Sequence, residues 1–451
     1  MARAVGAVVR VRLSPMLLRR WALAIALLVV TATSGCGQPE VEVRPPGDGP
    51  VTIAVPGNAA TIQQASDAAK PGDTIEVAPG TYGESVTIKT PDVTLRGTDR
   101  NAVIIDGGGL RGNGVVVTAP RVTIANLTVR GFNLNGILIT GLVGENGGLA
   151  SGSDGYRRLD PKKFPPLQGF AVRYVTASNN ALYGIYAFDS QNGVIENNYA
   201  SGHADSGIYV GQCDDCNIVV RNNVAEYNAV GYEQANASNV VSVVRNRFSN
   251  NRVGMTLLSD YQEAYVPQRK ALVAGNVISD NDAEKTPEQA EGLFGIGLGI
   301  TGGQDNEVTR NLIADNPSAG IVISSSEDIA PVDNRLADNV GRDNKLDLAY
   351  VATERAPGYG NCLDGNEFDN TLPVSLSHAW SCPQGGAKLA GEKWSQLPAP
   401  RGISFRDVRQ PQPQPQLPES ARAAAPEPPK LTAKDTAMPT EDLWSELTHD
   451  G

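Results

Sequence analysis

The chain has 451 residues, a formal charge of −11, 48 glycines, 30 prolines and only 6% aromatic side chains. So few rings exclude an aromatic-filled core, while Gly, Asn and Asp in quantity point to many tight turns. An acidic chain without a Lys/Arg stripe is not expected to bind nucleic acid, whose phosphates require cationic partners.

The N-terminus reads as an export signal. Arg19 and Arg20 precede an apolar run over residues 21–30, and Thr33-Ser34-Gly35-Cys36 follows. Small residues directly before a cysteine resemble the lipobox of bacterial lipoproteins. That resemblance implies a signal peptide over residues 1–36 and lipidation at Cys36. A doubly acylated terminus suffices for stable anchoring. The protein is then expected outside the cytoplasm, on the outer face of the membrane or the cell surface. It would be held by lipid alone and be monomeric.

Residues 37–50 form a Pro/Gly-rich tether. The spacing of Ile62, Ala65, Ala68 and Ala69 predicts a short helix. Such a helix would cap the open edge of a stack. Short apolar strands follow, among them Val86-Thr87-Ile88, Val93-Thr94-Leu95, Val115-Val116-Val117 and Ile137-Leu138-Ile139. None reaches the usual length of a sandwich strand.

Period decides the architecture. Gly184-Ile185-Tyr186 recurs as Gly207-Ile208-Tyr209, Gly231-Tyr232-Glu233 and Gly254-Met255-Thr256, at steps of 23 or 24 residues. Asn197, Asn222 and Asn246 recur with them, continued by Asn276, Asn311 and Asn334. Asn tolerates left-handed backbone and can hydrogen-bond to the Asn of the next coil. A repeat of this size with three short strands fits one turn of a parallel β-helix, predicted over residues 51–385.

The opening Thr61-Ile62-Gln63-Gln64-Ala65, Pro71-Gly72-Asp73-Thr74-Ile75 and Pro79-Gly80-Thr81-Tyr82, with the later Gly-Ile and Asn-Asn repeats, resembles the pectin-lyase-like superfamily. The resemblance implies an all-β fold, a single-stranded right-handed parallel β-helix. It says little about activity, because this fold hosts lyases, hydrolases, esterases, epimerases and noncatalytic surface proteins. Copper-site maturation proteins share the coil style, which gives a metal-handling accessory role as a minor reading. Four methionines and three histidines are a thin supply of ligands for it.

Two insertions interrupt the coils, near residues 144–167 and 259–269, and long loops on a solenoid often line a binding face. After Trp394 the sequence turns Pro-, Ala- and Gln-rich, so residues 386–451 are expected to be extended or largely disordered. Beyond Cys36 four cysteines remain. Their spacing favours disulfides Cys213–Cys216 and Cys362–Cys382, with a four-thiolate zinc site as the rival.

Strand alternation sends Ile185, Ile208, Tyr232 and Met255 inward and Tyr186, Tyr209, Glu233 and Thr256 outward, with Phe188 outward as well. Tyr186, Phe188 and Tyr209 are expected to form an exposed aromatic strip beside Glu233 and Gln212. Such a strip suits a polysaccharide or cell-envelope polymer, whose sugar faces pack on rings. The same coils carry His203, Asp205, Asp214 and Asp215. His203 oriented by Asp205 could serve as a general base for elimination, epimerisation or hydrolysis, which gives the alternative of a carbohydrate-active enzyme. Polygalacturonases carry four local signatures, of which only Asp214-Asp215 and half of a Gly-His-Gly are found here. The Asp-Pro-His-Asp of alginate epimerases is missing. No cofactor is evident, though Asp280-Asn281-Asp282-Ala283-Glu284 offers alternating oxygens that calcium could use.

Overall fold

The structure, a computed structural model, describes residues 43–144, 160 and 162–439. Cys36 and its leader, residues 154–158 of the first insertion, and Asp442-Leu443-Trp444 lie outside the described residues.

Each coil lays three short strands on three sheets in turn. Ser190–Glu196, Tyr199–Ser201 and Ser206–Cys213 make one coil, and Ile218–Arg221 then pairs in parallel with Ser190–Glu196. Repetition builds a first sheet of 12 strands, a second of 10 and a third of 11. The result is a right-handed parallel β-helix.

The register follows the apolar pattern. Ile185, Ile208, Tyr232 and Met255 pair in successive strands of the third sheet and are buried in the core. Tyr186, Tyr209, Glu233 and Thr256 pair alongside them on the opposite face. Burying each large aliphatic side chain contributes roughly 1.5–3 kcal/mol, which no isolated coil could collect.

Polar ladders run through the turns. Asn198, Asn223, Asn246, Asn276, Asn311, Asn339 and Asn366 form one, each Nδ2 donating to the next Oδ1 at 2.8–3.0 Å. The repeat as read from the sequence needs correction here. Asn197 and Asn222 are not rungs but the left-handed residues just before them, with φ of 58° and 53°. Asn334 belongs to a separate ladder, between Asn306 and Asn361. Where two asparagines adjoin, one takes the strained backbone and the other the hydrogen bonds.

The repeat glycines serve such a ladder. A Cβ on Gly231 would lie 2.7 Å from Asn251 Nδ2 and 2.5 Å from Gly254 O. One on Gly254 would lie 2.7 Å from Asn281 Nδ2. The glycine and asparagine periodicities are therefore one feature, because the carboxamide sits where a side chain would start.

Both ends are closed. The helix Ile62–Ala68 buries Ile62 and Ala65, and Thr61 Oγ1 accepts from Gln64 N at 3.1 Å as its cap. At the far end Leu376 and Trp380 are buried, with the Trp380 ring 4.6 Å from that of Tyr350. Disulfides join Cys213 to Cys216 and Cys362 to Cys382, in separate coils, as the spacing favours over a shared zinc site. Among the described residues no helix is long and apolar enough to cross a membrane.

Of the two forms expected for the tail, extended or largely disordered, the described part takes the extended one. Residues 386–439 carry almost no regular secondary structure, yet they lie along the coils. One leg runs toward the N-terminal end, with Pro400 O bonded to Arg252, and Phe405 O and Val408 O bonded to Asn179 Nδ2. Leu417 N then donates to Asn126 Oδ1. The chain returns, giving Ala424 O to Arg173 and Thr436 O to Arg310. Prolines stiffen this segment, so little entropy is lost on docking, and its free carbonyls meet a column of turn side chains.

Candidate functional site

The third sheet gathers the aromatic and acidic side chains on its outer face. Tyr186 centres the cluster, with ring centroids 4.3 Å from Tyr183, 5.1 Å from Phe188 and 4.7 Å from Tyr209. The expected column thus exists, with Tyr183 added. It is not an open strip, since Tyr209 is 1% exposed while Tyr183, Tyr186 and Phe188 are half-buried. The cover is the second insertion, whose Glu263 Oε1 accepts from the Tyr209 hydroxyl at 2.5 Å. Gln212 anchors that loop, Oε1 accepting from Ala264 N at 3.1 Å, so its carboxamide oxygen is committed to the protein. Asn236 assists, Nδ2 donating to Glu263 O at 3.1 Å.

Carboxyl groups edge the rings. Ser206 Oγ donates to Glu233 Oε2 at 2.5 Å and lies 3.2 Å from Asp205 Oδ1. Burial pushes Glu233 well above the usual carboxylate range, and the nearby Asp205 pushes the same way. Asp205 is raised by burial too, against the hydrogen bonds from Ser206 and Tyr183. Burial lifts Glu263 to about 8, and its Oε2 has no hydrogen-bond partner. Asp189, at the end of the Phe188 strand, is lifted to about 7 by burial, with Oδ2 unpartnered. Carboxyls held protonated near neutrality can donate as well as accept, an arrangement common at functional sites.

The proposed histidine base is not part of this face. His203 is fully buried and is itself a ladder rung between Asn180 and Asn228. Nδ1 accepts from Asn180 N at 3.3 Å and Nε2 lies 3.2 Å from Ala177 O, so both ring nitrogens are engaged by backbone. Burial lowers its pKa to about 3. Asp205 contacts Ser206, not the imidazole, so the expected His203–Asp205 pair does not form. Asp214 and Asp215 are also remote. The eight-residue strand Ser206–Cys213 separates them from Asp205, about 25 Å at strand rise. There Asp214 meets Arg269 at 3.3 Å and Asp215 accepts from Asn239. These bonds tie adjacent turns together.

The oxygen-rich 280–284 stretch is partly spent as well, because Asn281 is a rung between Asn251 and Asn316. Among the described residues no three His, Cys, Asp or Glu side chains converge on a common point fit for a metal.

Sequence reasoning left out Tyr183, Ser206, Asp189 and the role of Glu263. Tyr183 precedes its strand, where alternation is silent. Glu263 arrives from a loop whose landing place no periodicity encodes.

A family model described as right handed beta helix region matches residues 83–269. No curated protein matches the chain. Among solved structures, the A-module of the Azotobacter vinelandii mannuronan C-5 epimerase AlgE4 is similar at 16% identity and a TM-score of 0.43, covering 77% of this chain and 95% of that one. PfbA, a surface adhesin of Streptococcus pneumoniae, is similar at 12% identity and a TM-score of 0.37, covering 69% and 86%. Neither likeness assigns an activity to this chain.

Proposed function

We propose that this chain is an exported β-helix protein that binds a glycan on the outer face of its third sheet. The observation that carries this reading is the packed ring cluster of Tyr183, Tyr186, Phe188 and Tyr209 edged by Asp205 and Glu233. Half-buried rings offer apolar faces to sugar C–H groups, and the carboxyls offer hydrogen bonds to hydroxyls. Two disulfides suit an oxidising compartment outside the cytoplasm. Lipidation at Cys36 would hold the protein to a membrane there.

The test is affinity electrophoresis against a panel of neutral and uronate polysaccharides. Tyr186→Ala should abolish retardation by the ligand without lowering Tm by more than a few degrees. Retardation unchanged in that variant refutes the site.

A second reading, catalysis at the same face, is favoured by one observation. The Glu263 carboxyl, lifted to about 8, contacts the Tyr209 hydroxyl and so could supply a proton at neutral pH. New reducing or unsaturated ends, lost in Glu263→Gln, would establish turnover.

A further inference from the structure

Acids stand at both ends of one row of rings. Tyr183, Tyr186 and Phe188 stack along a single coil, with 18° and 27° between neighbouring planes. At the Tyr183 end, the Asp205 carboxyl accepts from the Tyr183 hydroxyl. Ser206 Oγ links Asp205 to Glu233 of the next coil, at 3.2 and 2.5 Å. At the other end Asp189 follows Phe188 directly and is 2% exposed. Glu263 reaches the same cluster through the Tyr209 hydroxyl.

Two of these carboxyls are incomplete. Asp189 Oδ2 and Glu263 Oε2 have no hydrogen-bond partner, although both side chains are buried. Their neighbours deepen the negative field: Asp205, Glu263 and Glu291 all raise Glu233, and Asp260 raises Glu263. The Tyr183 and Tyr209 phenols feel Glu233 and Glu263 in the same way, and Tyr265 feels Asp189. A bare buried carboxylate is costly, so such groups keep their protons near neutrality. A cation among them would let them ionise, and the faces of the rings attract a cation as well. The row therefore fits a ligand with an apolar flat face and a positive charge at its edge.

We infer that the glycan of this face is a polymer of amino sugars with free amines, whose ammonium groups sit between the Tyr183–Phe188 ring row and the carboxyls of Asp189, Asp205, Glu233 and Glu263. The inference rests on the glycan reading of the same face and adds the charge of the ligand. N-acetylation would defeat the match, because an amide carries no charge. A lysine side chain offers the same ammonium, but on a flexible stem whose ordering costs more entropy than that of a rigid sugar ring.

The experiment is calorimetric titration of the full chain with glucosamine hexamers in β-1,4 and β-1,6 linkage, their N-acetylated forms, glucose hexamers and trilysine. The free-amine hexamers should bind at least tenfold more tightly than the acetylated and glucose forms, and salt should shrink that advantage. Glu233→Gln should reduce the preference severalfold. Because Glu233 also bonds Ser206, a second measurement uses the wild-type chain alone. In buffers of different protonation enthalpy at pH 7, amine binding should release protons as the carboxyls ionise, and binding of the acetylated forms should not. Equal or tighter binding of the acetylated or glucose hexamers overturns the inference and leaves the glycan reading standing. Tighter binding of trilysine assigns the site to a peptide amine and overturns it as well. Amine binding without proton release removes the carboxyls from the site, and absence of binding by every ligand overturns both readings.

Discussion

The Tyr209 hydroxyl and Glu263 Oε1 meet at 2.5 Å although 54 residues separate them in sequence. The bond fastens an insertion loop over an outward strand and converts a surface tyrosine into a buried one. Burial raises the Glu263 carboxyl from 4.5 to about 8, against the Tyr209 hydrogen bond, which favours the ionised form.

Stability should therefore depend on pH through this group. The folded chain keeps a proton that the unfolded chain releases above about pH 4.5, so the contribution is fully present below 4.5 and lost as pH rises through 8. Wild-type Tm is expected to fall between pH 5 and 9. Glu263→Gln should flatten that fall by on the order of a few kcal/mol, at about 1.4 kcal/mol per unit of pKa shift. Circular dichroism melts across the range measure it, and identical slopes would discount the burial of Glu263.

His203 should behave as a structural rung. Its pKa falls from 6.5 to about 3 on folding, so its stability is present above 6.5 and is lost as pH drops toward 3. His203→Asn supplies the side chain that neighbouring coils use there. The variant should fold, bind glycan normally and resist acid better than wild type, by about 1.4 kcal/mol per pH unit between those limits. Loss of turnover or binding in a folded His203→Asn protein would restore a catalytic histidine.

Gly231→Ala should destabilise by about 2–4 kcal/mol, since its Cβ would meet Asn251 Nδ2 and Gly254 O within van der Waals distance. Gly49→Ala, where nothing lies within 4 Å, is the matched control and should be neutral. Equal urea midpoints for the two variants contradict the ladder explanation of the repeat.

The tail should be protected from solvent exchange. Leu417 N is bonded to Asn126 Oδ1, and Arg100 N to Gln416 Oε1. Hydrogen–deuterium exchange of peptides covering residues 414–418 is expected to be slowed at least tenfold relative to an unstructured chain. Exchange at the free-chain rate would return the tail to a disordered state.

These cases also show what the sequence could express. Inward and outward residues of the third sheet were legible because Ile185, Ile208, Tyr232 and Met255 follow a strict two-residue alternation within a regular coil. Both disulfides were legible because each joins cysteines close in sequence. The repeat places Asn246, Asn276 and Asn311 on their rungs but falls one residue early at Asn197 and Asn222, since adjoining asparagines share a chemistry but divide its uses. His203 misled for a related reason, because an imidazole in a ladder has the same composition as an imidazole in a site. Long-range landings, such as Glu263 on Tyr209 or Leu417 on Asn126, leave no periodic trace.

The docked tail also fixes how many coils the molecule can hold. A solenoid grows by duplicating a unit, and its ladders would accept another copy without complaint. Here Asp435 pairs with Arg221, Ala437 O lies 2.5 Å from where a Cβ on Gly275 would be, and Thr436 O bonds Arg310. Three neighbouring residues thus gauge a set span of the stack. An extra coil inserted between Val241–Val244 and Glu307–Thr309 would displace Arg310 by about 4.8 Å and break that match. Copy number, free to drift in a bare repeat, is here tied to the length of a segment that contains no repeat at all.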